Sequence, residues 1–68
     1  MMEFGQRLKQ LRERTRISRK VLSELCGLNP DAVRRYERGE SEPGLPSLAA
    51  LADFFEVSID YLVGRCDK

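Results

Sequence analysis

Residues 18–39 read SRKVLSELCGLNPDAVRRYERG, and this stretch decides the fold. Ser18 is an N-cap residue ahead of the apolar positions Val21, Leu22, Leu25 and Cys26. Gly27 follows directly, in the place of a helix-ending glycine. Asn29 can cap a second helix, with Pro30 at the first helical position, where its missing N–H costs nothing. That helix runs to about Arg38 and stops at Gly39. The spacing therefore predicts two short helices joined by a tight glycine-containing turn.

Two helices joined in this way form a helix-turn-helix, an arrangement whose second helix can enter the major groove of DNA. The second helix divides into two faces by spacing alone. Ala32, Val33, Tyr36 and Glu37 form one stripe, whose natural partner is a protein core. Pro30, Asp31, Arg34, Arg35 and Arg38 form the other. Arg34 and Arg38 stand four apart, a like-charge pair that costs an isolated helix roughly a few tenths of a kcal/mol. A polyanion against that face would turn repulsion into attraction.

Arg19 and Lys20 occupy the first turn of the first helix, the unfavourable end of the helix dipole for cations. A phosphate held at that terminus by backbone N–H groups would account for them. Two solvated cations without a ligand account for them equally well.

Leu22, Gly27, Val33, Tyr36, Glu37, Arg38, Gly39 and Pro43 together resemble the phage-repressor/Cro-like helix-turn-helix family, the XRE type of bacterial regulators. FGQRLKQLRERTRIS (4–18) resembles that family's first helix, and LAALADFFEVSIDYLVG (48–64) its fourth and fifth. The likeness covers residues 4–64. It implies an all-α, five-helix, lambda-repressor-like domain with the helix-turn-helix at helices two and three. The expected helices lie near 3–15, 18–26, 29–38, 45–55 and 58–63. The likeness also implies a partly buried ion pair between Arg12 and Glu37, tying helix one to the recognition helix. Six positions depart from the family's pattern. Arg19 replaces a glutamine that touches backbone phosphate, and Ser23 replaces a small alanine. Arg16 and Glu56 replace glycines, and are mildly strained if those positions need positive φ. Pro30 and Asp31 replace more ordinary polar readers, so no operator sequence carries over from a relative.

Sixty-eight residues make one domain near the lower size for a self-sufficient core. The expected core is Phe4, Leu8, Leu11, Ile17, Leu22, Cys26, Leu28, Val33, Tyr36, Leu48, Leu51, Ala52, Phe55, Val57, Ile59 and Leu62. Residues 65–68 read as a flexible tail. Net charge is only +1, but residues 1–40 carry ten Lys/Arg against six Asp/Glu, and residues 41–68 carry two against five. The basic part is the part with the helix-turn-helix, and such a field can orient a domain on DNA.

The absence of histidine removes the commonest general base, and no P-loop, dinucleotide fingerprint or nucleophile elbow is present. Cys26 and Cys66 without histidine do not make a zinc site. No cofactor, metal or small-molecule ligand is expected. Cys26 reads as a small buried hydrophobe and Cys66 as a thiol of the tail, both consistent with a reducing cytoplasm. No apolar run is long enough to span a membrane and no signal peptide is evident.

The expected activity is sequence-specific binding of double-stranded DNA by a small regulator, a repressor rather than an activator. The alternative is an antitoxin-type module whose main partner is a protein. Asn29, Asp31, Arg34 and Arg35 are expected at base edges, and Asp31 could equally pair with Arg35 four residues on. Ser18, Arg19, Lys20 and Arg38 are expected at phosphates. A weak homodimer on a near-palindromic site is expected to pair through Val57, Ile59 and Tyr61, unless Val57 and Ile59 are wholly internal.

Overall fold

The amphipathic spacing of Phe4, Leu8 and Leu11 builds the first of five helices, α1 (Phe4–Thr15), in a computed structural model that describes residues 3–66. It is followed by α2 (Arg19–Leu25), α3 (Ala32–Glu37), α4 (Leu45–Phe55) and α5 (Ile59–Leu62). No strand occurs among the described residues. Leu8, Leu11, Leu22, Val33, Tyr36, Leu51, Ala52 and Leu62 form one buried cluster fed by all five helices. Phe4, Ile17, Cys26, Leu28, Leu48, Phe55, Val57 and Ile59 pack half-buried around it. Val21 and Leu25, apolar positions of α2, instead point outward at 42% and 62% exposure.

Local chemistry sets the helix ends. The Ser18 hydroxyl accepts the Val21 N–H at 3.0 Å, and Ser58 does the same for Tyr61 at 3.0 Å. Pro46 sits in the first turn of α4, where it displaces no hydrogen bond. After α2, Gly27 takes φ 71°, and the Leu28 N–H returns to the Ser23 carbonyl at 2.8 Å. This closure forms the turn between α2 and α3. The same left-handed conformation occurs at Arg16 (φ 58°) and Glu56 (φ 55°), so the two departures from glycine are strained positions. The chain stays tied beyond α5, because the Arg65 N–H donates to the Asp60 carbonyl at 2.8 Å. Of the expected tail, Asp67 and Lys68 lie outside the described residues.

The third helix begins later than its capping pattern predicts. Asn29 does accept the Asp31 N–H at 2.9 Å, as an N-cap would. The next bond, however, runs from the Ala32 N–H to the Asn29 carbonyl at 2.8 Å, the short spacing of a tight turn. Pro30 and Asp31 occupy that turn, and α-helix begins at Ala32. The other four expected helices differ only by their cap residues or one terminal position.

Helix α3 is held from two sides, by α1 and by α2. Gly5 permits the α1 contact: a Cβ there would lie 2.6 Å from the Tyr36 carbonyl oxygen. The Phe4 ring stands edge-on to Tyr36 at 5.7 Å. On the other side, Ser23 is completely buried. Its hydroxyl donates to the Arg19 carbonyl at 2.8 Å and accepts the Val33 N–H at 3.1 Å. One of the amides that the start of α3 leaves without an intrahelical partner is thus satisfied from α2.

Candidate nucleic-acid interface

With Val33 and Tyr36 buried, the opposite face of α3 must point away from the core. It carries Arg34, Arg35 and Arg38, and Asn29 and Asp31 precede it in the turn. The start of α2 lies alongside. Ser18, Arg19, Lys20, Pro30, Asp31 and Arg34 line one shallow cleft between the two helices. Five of the eight residues expected at base edges or phosphates therefore share this cleft, and Arg35 and Arg38 extend the surface along the outward face of α3. The Ser18 hydroxyl uses its acceptor on the helix cap and keeps its O–H for an outside acceptor.

Asp31 is engaged within the protein. One carboxylate oxygen accepts Arg34 Nε at 2.6 Å and the other accepts Arg34 Nη2 at 2.7 Å, a two-bond fork. The second oxygen also accepts Arg35 Nε at 3.0 Å. The Arg34 guanidinium, with Arg35 adding to it, holds the Asp31 carboxyl well below the usual carboxylate range. The same fork raises Arg34 above the ordinary arginine value. The spacing rule that pairs Asp31 with Arg35 at i+4 applies to Arg34 at i+3 as well. Arg38 Nε lies 2.8 Å from a Glu40 carboxylate oxygen. The repulsion expected between Arg34 and Arg38 is therefore offset on both sides by acids.

Arg12 reaches Glu37 from α1 with a second fork. Its Nε donates to one carboxylate oxygen at 2.6 Å and its Nη2 to the other at 3.2 Å, while Nη1 donates to the Ile17 carbonyl at 3.1 Å. The Glu37 side chain is only 3% exposed. The hydrogen bond to Glu37 raises Arg12 above its ordinary value against the opposing effect of burial. Arg19 Nη1 stands 3.8 Å from the same carboxylate, so Glu37 anchors a cation on the outer side of the helix pair as well as one behind it.

The residues expected at a dimer contact are partly committed inside the fold. Val57 and Ile59 are half-buried against the core. One face of the Tyr61 ring is covered by the Arg7 guanidinium, 4.0 Å from the ring centroid. Arg7 is itself buried, which the sequence reading missed. The signal was its place at i+3 from Phe4 and beside Leu8, on the core-facing stripe of α1. Cys26 is half-buried with its thiol toward the Ala50 carbonyl at 3.9 Å, and burial pushes that thiol up. No group of metal-ligating side chains occurs among the described residues. No described helix is long and apolar enough to cross a membrane.

A family model described as a helix-turn-helix domain matches residues 3–62. An uncharacterised transcriptional regulator of this type from Bacillus subtilis (strain 168), YobD, is 36% identical over 64 residues, covering 94% of this chain and 57% of the relative. Repressor protein C2 of Salmonella phage P22 is 32% identical over 60 residues, covering 88% of this chain and 28% of the relative. The chain thus spans little more than half, or less, of the curated relatives it matches. The P22 c2 repressor crystallised with a synthetic operator superposes with a TM-score of 0.87 at 30% identity, covering 94% of this chain and 97% of that one. The restriction-modification controller protein C.AhdI of Aeromonas hydrophila superposes at 0.79 with 34% identity, covering 87% and 89%. The chain belongs to the helix-turn-helix domain family, in its phage-repressor branch.

Proposed function

We propose that this chain binds double-stranded DNA sequence-specifically and acts as a transcriptional repressor. One observation carries the reading: α3 is locked inward by Val33, Tyr36 and Glu37 while its outward face and the start of α2 collect five cations on one surface. In this reading α3 lies in the major groove, with Asn29, Arg34 and Arg35 toward base edges. Ser18, Arg19, Lys20 and Arg38 meet backbone phosphates, which fix register. The relatives are described as transcriptional regulators and repressors, and one similar structure is a repressor on operator DNA. The place of action is the cytoplasm of a bacterial cell, where the DNA is.

One domain on one short site makes too few contacts for useful genomic discrimination, so two copies pair on a near-palindromic site. Tyr61 and the outer edges of Val57 and Ile59 supply a small contact, which DNA stabilises by binding both copies. Selection of bound duplexes from a random pool tests the whole reading. The expected result is a two-fold related pair of half-sites with centres about 34 Å apart, one turn of DNA. Recovery of no enriched sequence would overturn it.

A further inference from the structure

Asp31 is an acid placed in a cleft that gathers cations, among Arg19, Lys20 and Arg34. A negative charge there opposes the approach of any phosphate, so it weakens binding to DNA of every sequence. Its geometry offers a compensating gain. An arginine reads guanine with two parallel N–H donors aimed at O6 and N7. Asp31 takes Arg34 by the whole Nε–Nη2 edge, at 2.6 and 2.7 Å. It takes Arg35 by Nε alone, at 3.0 Å, and leaves the Nη1–Nη2 end open. Arg35 is also the more exposed of the two, 57% against 38%. A guanidinium held by Nε loses little rotamer freedom when its far end docks, whereas an untethered arginine must be ordered first.

On the DNA-binding reading above, we propose that Asp31 is a positioning residue for specificity: it holds Arg35 by Nε so that its Nη1–Nη2 end reads guanine, and it excludes phosphate from the same cleft. Arg34 completes the clamp by balancing the carboxylate. Asp31 thus lowers affinity for DNA in general and raises the preference for one base.

Two measurements separate the clamp from the reading it rests on. In the free protein, nitrogen-15 spectra of the arginine side chains report the Nε–H groups. Those of Arg34 and Arg35 are expected to be shifted and slowly exchanging, and to revert in Asp31→Asn, which keeps the side chain's shape and its capacity to cap a helix. Arginine Nε–H signals that Asp31→Asn leaves unchanged would overturn the clamp whatever the protein binds. With selected operator and scrambled duplexes, Asp31→Asn is expected to bind scrambled DNA more tightly, with a salt dependence steeper by about one unit in log–log terms. Its preference for guanine at the position lost in Arg35→Ala should fall about tenfold. An unchanged guanine preference in Asp31→Asn would overturn the specificity role. If the wild-type protein fails to distinguish any selected duplex from scrambled DNA, the DNA-binding reading itself fails and takes that role with it.

Discussion

The buried Ser23 hydroxyl of α2 accepts the backbone N–H of Val33 in α3, at 3.1 Å. A single side chain thus joins the two halves of the helix-turn-helix and satisfies an amide that α3 cannot satisfy alone. Ser23→Ala, although it restores the residue type usual in the family, should destabilise the fold by about 1–3 kcal/mol because the Val33 amide stays buried. A melting temperature lowered by roughly 4–8 °C per kcal/mol would register this. An unchanged melting temperature would mean that the amide finds another partner.

Glu37 is expected to be the more costly ionic position. Its carboxylate is almost fully buried and accepts two bonds from Arg12. Glu37→Gln leaves the Arg12 guanidinium without its counter-charge, at a cost of roughly 3 kcal/mol. A double-mutant cycle with Arg12→Ala should give a coupling well above the roughly 0.2–1 kcal/mol of exposed pairs. Coupling within that range would make the pair an ordinary surface contact.

Arg16 and Glu56 adopt the left-handed backbone at the ends of α1 and α4. A side chain there costs roughly 1–2 kcal/mol, part of which glycine gives back as unfolded-chain entropy. Arg16→Gly and Glu56→Gly should each stabilise the protein by up to about 1 kcal/mol, and the gains should add because the two sites share no partners. Urea midpoints of the two single variants and the double variant test this, and a lowered midpoint in either single variant would contradict it.

Arg19 is half-exposed and loosely held by Glu37 at 3.8 Å, which leaves it able to turn to a phosphate. Arg19→Ala should weaken binding to all duplexes alike and flatten the salt dependence by about one unit in log–log terms. A slope equal to that of the wild type would remove Arg19, and with it the cleft at the start of α2, from the phosphate contacts.

Much of this architecture is legible in the residues. Ser18, Gly27 and Asn29 punctuate the chain with side chains and backbone freedoms that act locally, so the helix-turn-helix follows from spacing. The inward stripe of α3 is equally plain, because Val33 and Tyr36 have nowhere else to go. The start of α3 is not legible, because a capping bond at Asn29 is compatible with a tight turn as well as with a helix. Ser23 and Arg7 were missed for a different reason. Their roles depend on which helix lies across from them, and a polar residue on an apolar stripe does not name its partner. On the outward face of α3 the i+4 spacing offers a pair between Asp31 and Arg35, yet Asp31 also engages Arg34 and Glu40 engages Arg38. Ion pairs at the surface compete with outside partners by small energies that residue order alone does not weigh.

The close passage of α1 behind α3 has a consequence for genetics. Any side chain at position 5 would collide with the Tyr36 carbonyl and crowd the backbone of Glu37, neither of which can yield as a flexible side chain could. If the chain represses as proposed, a selection for loss of repression should return substitutions of Gly5 as readily as substitutions of Arg35. Hits of the two kinds would look alike on a plate, but the first would report a displaced or unfolded α3 and the second, on the proposed reading, a lost base contact. Assaying the abundance of the folded protein alongside the phenotype would sort them.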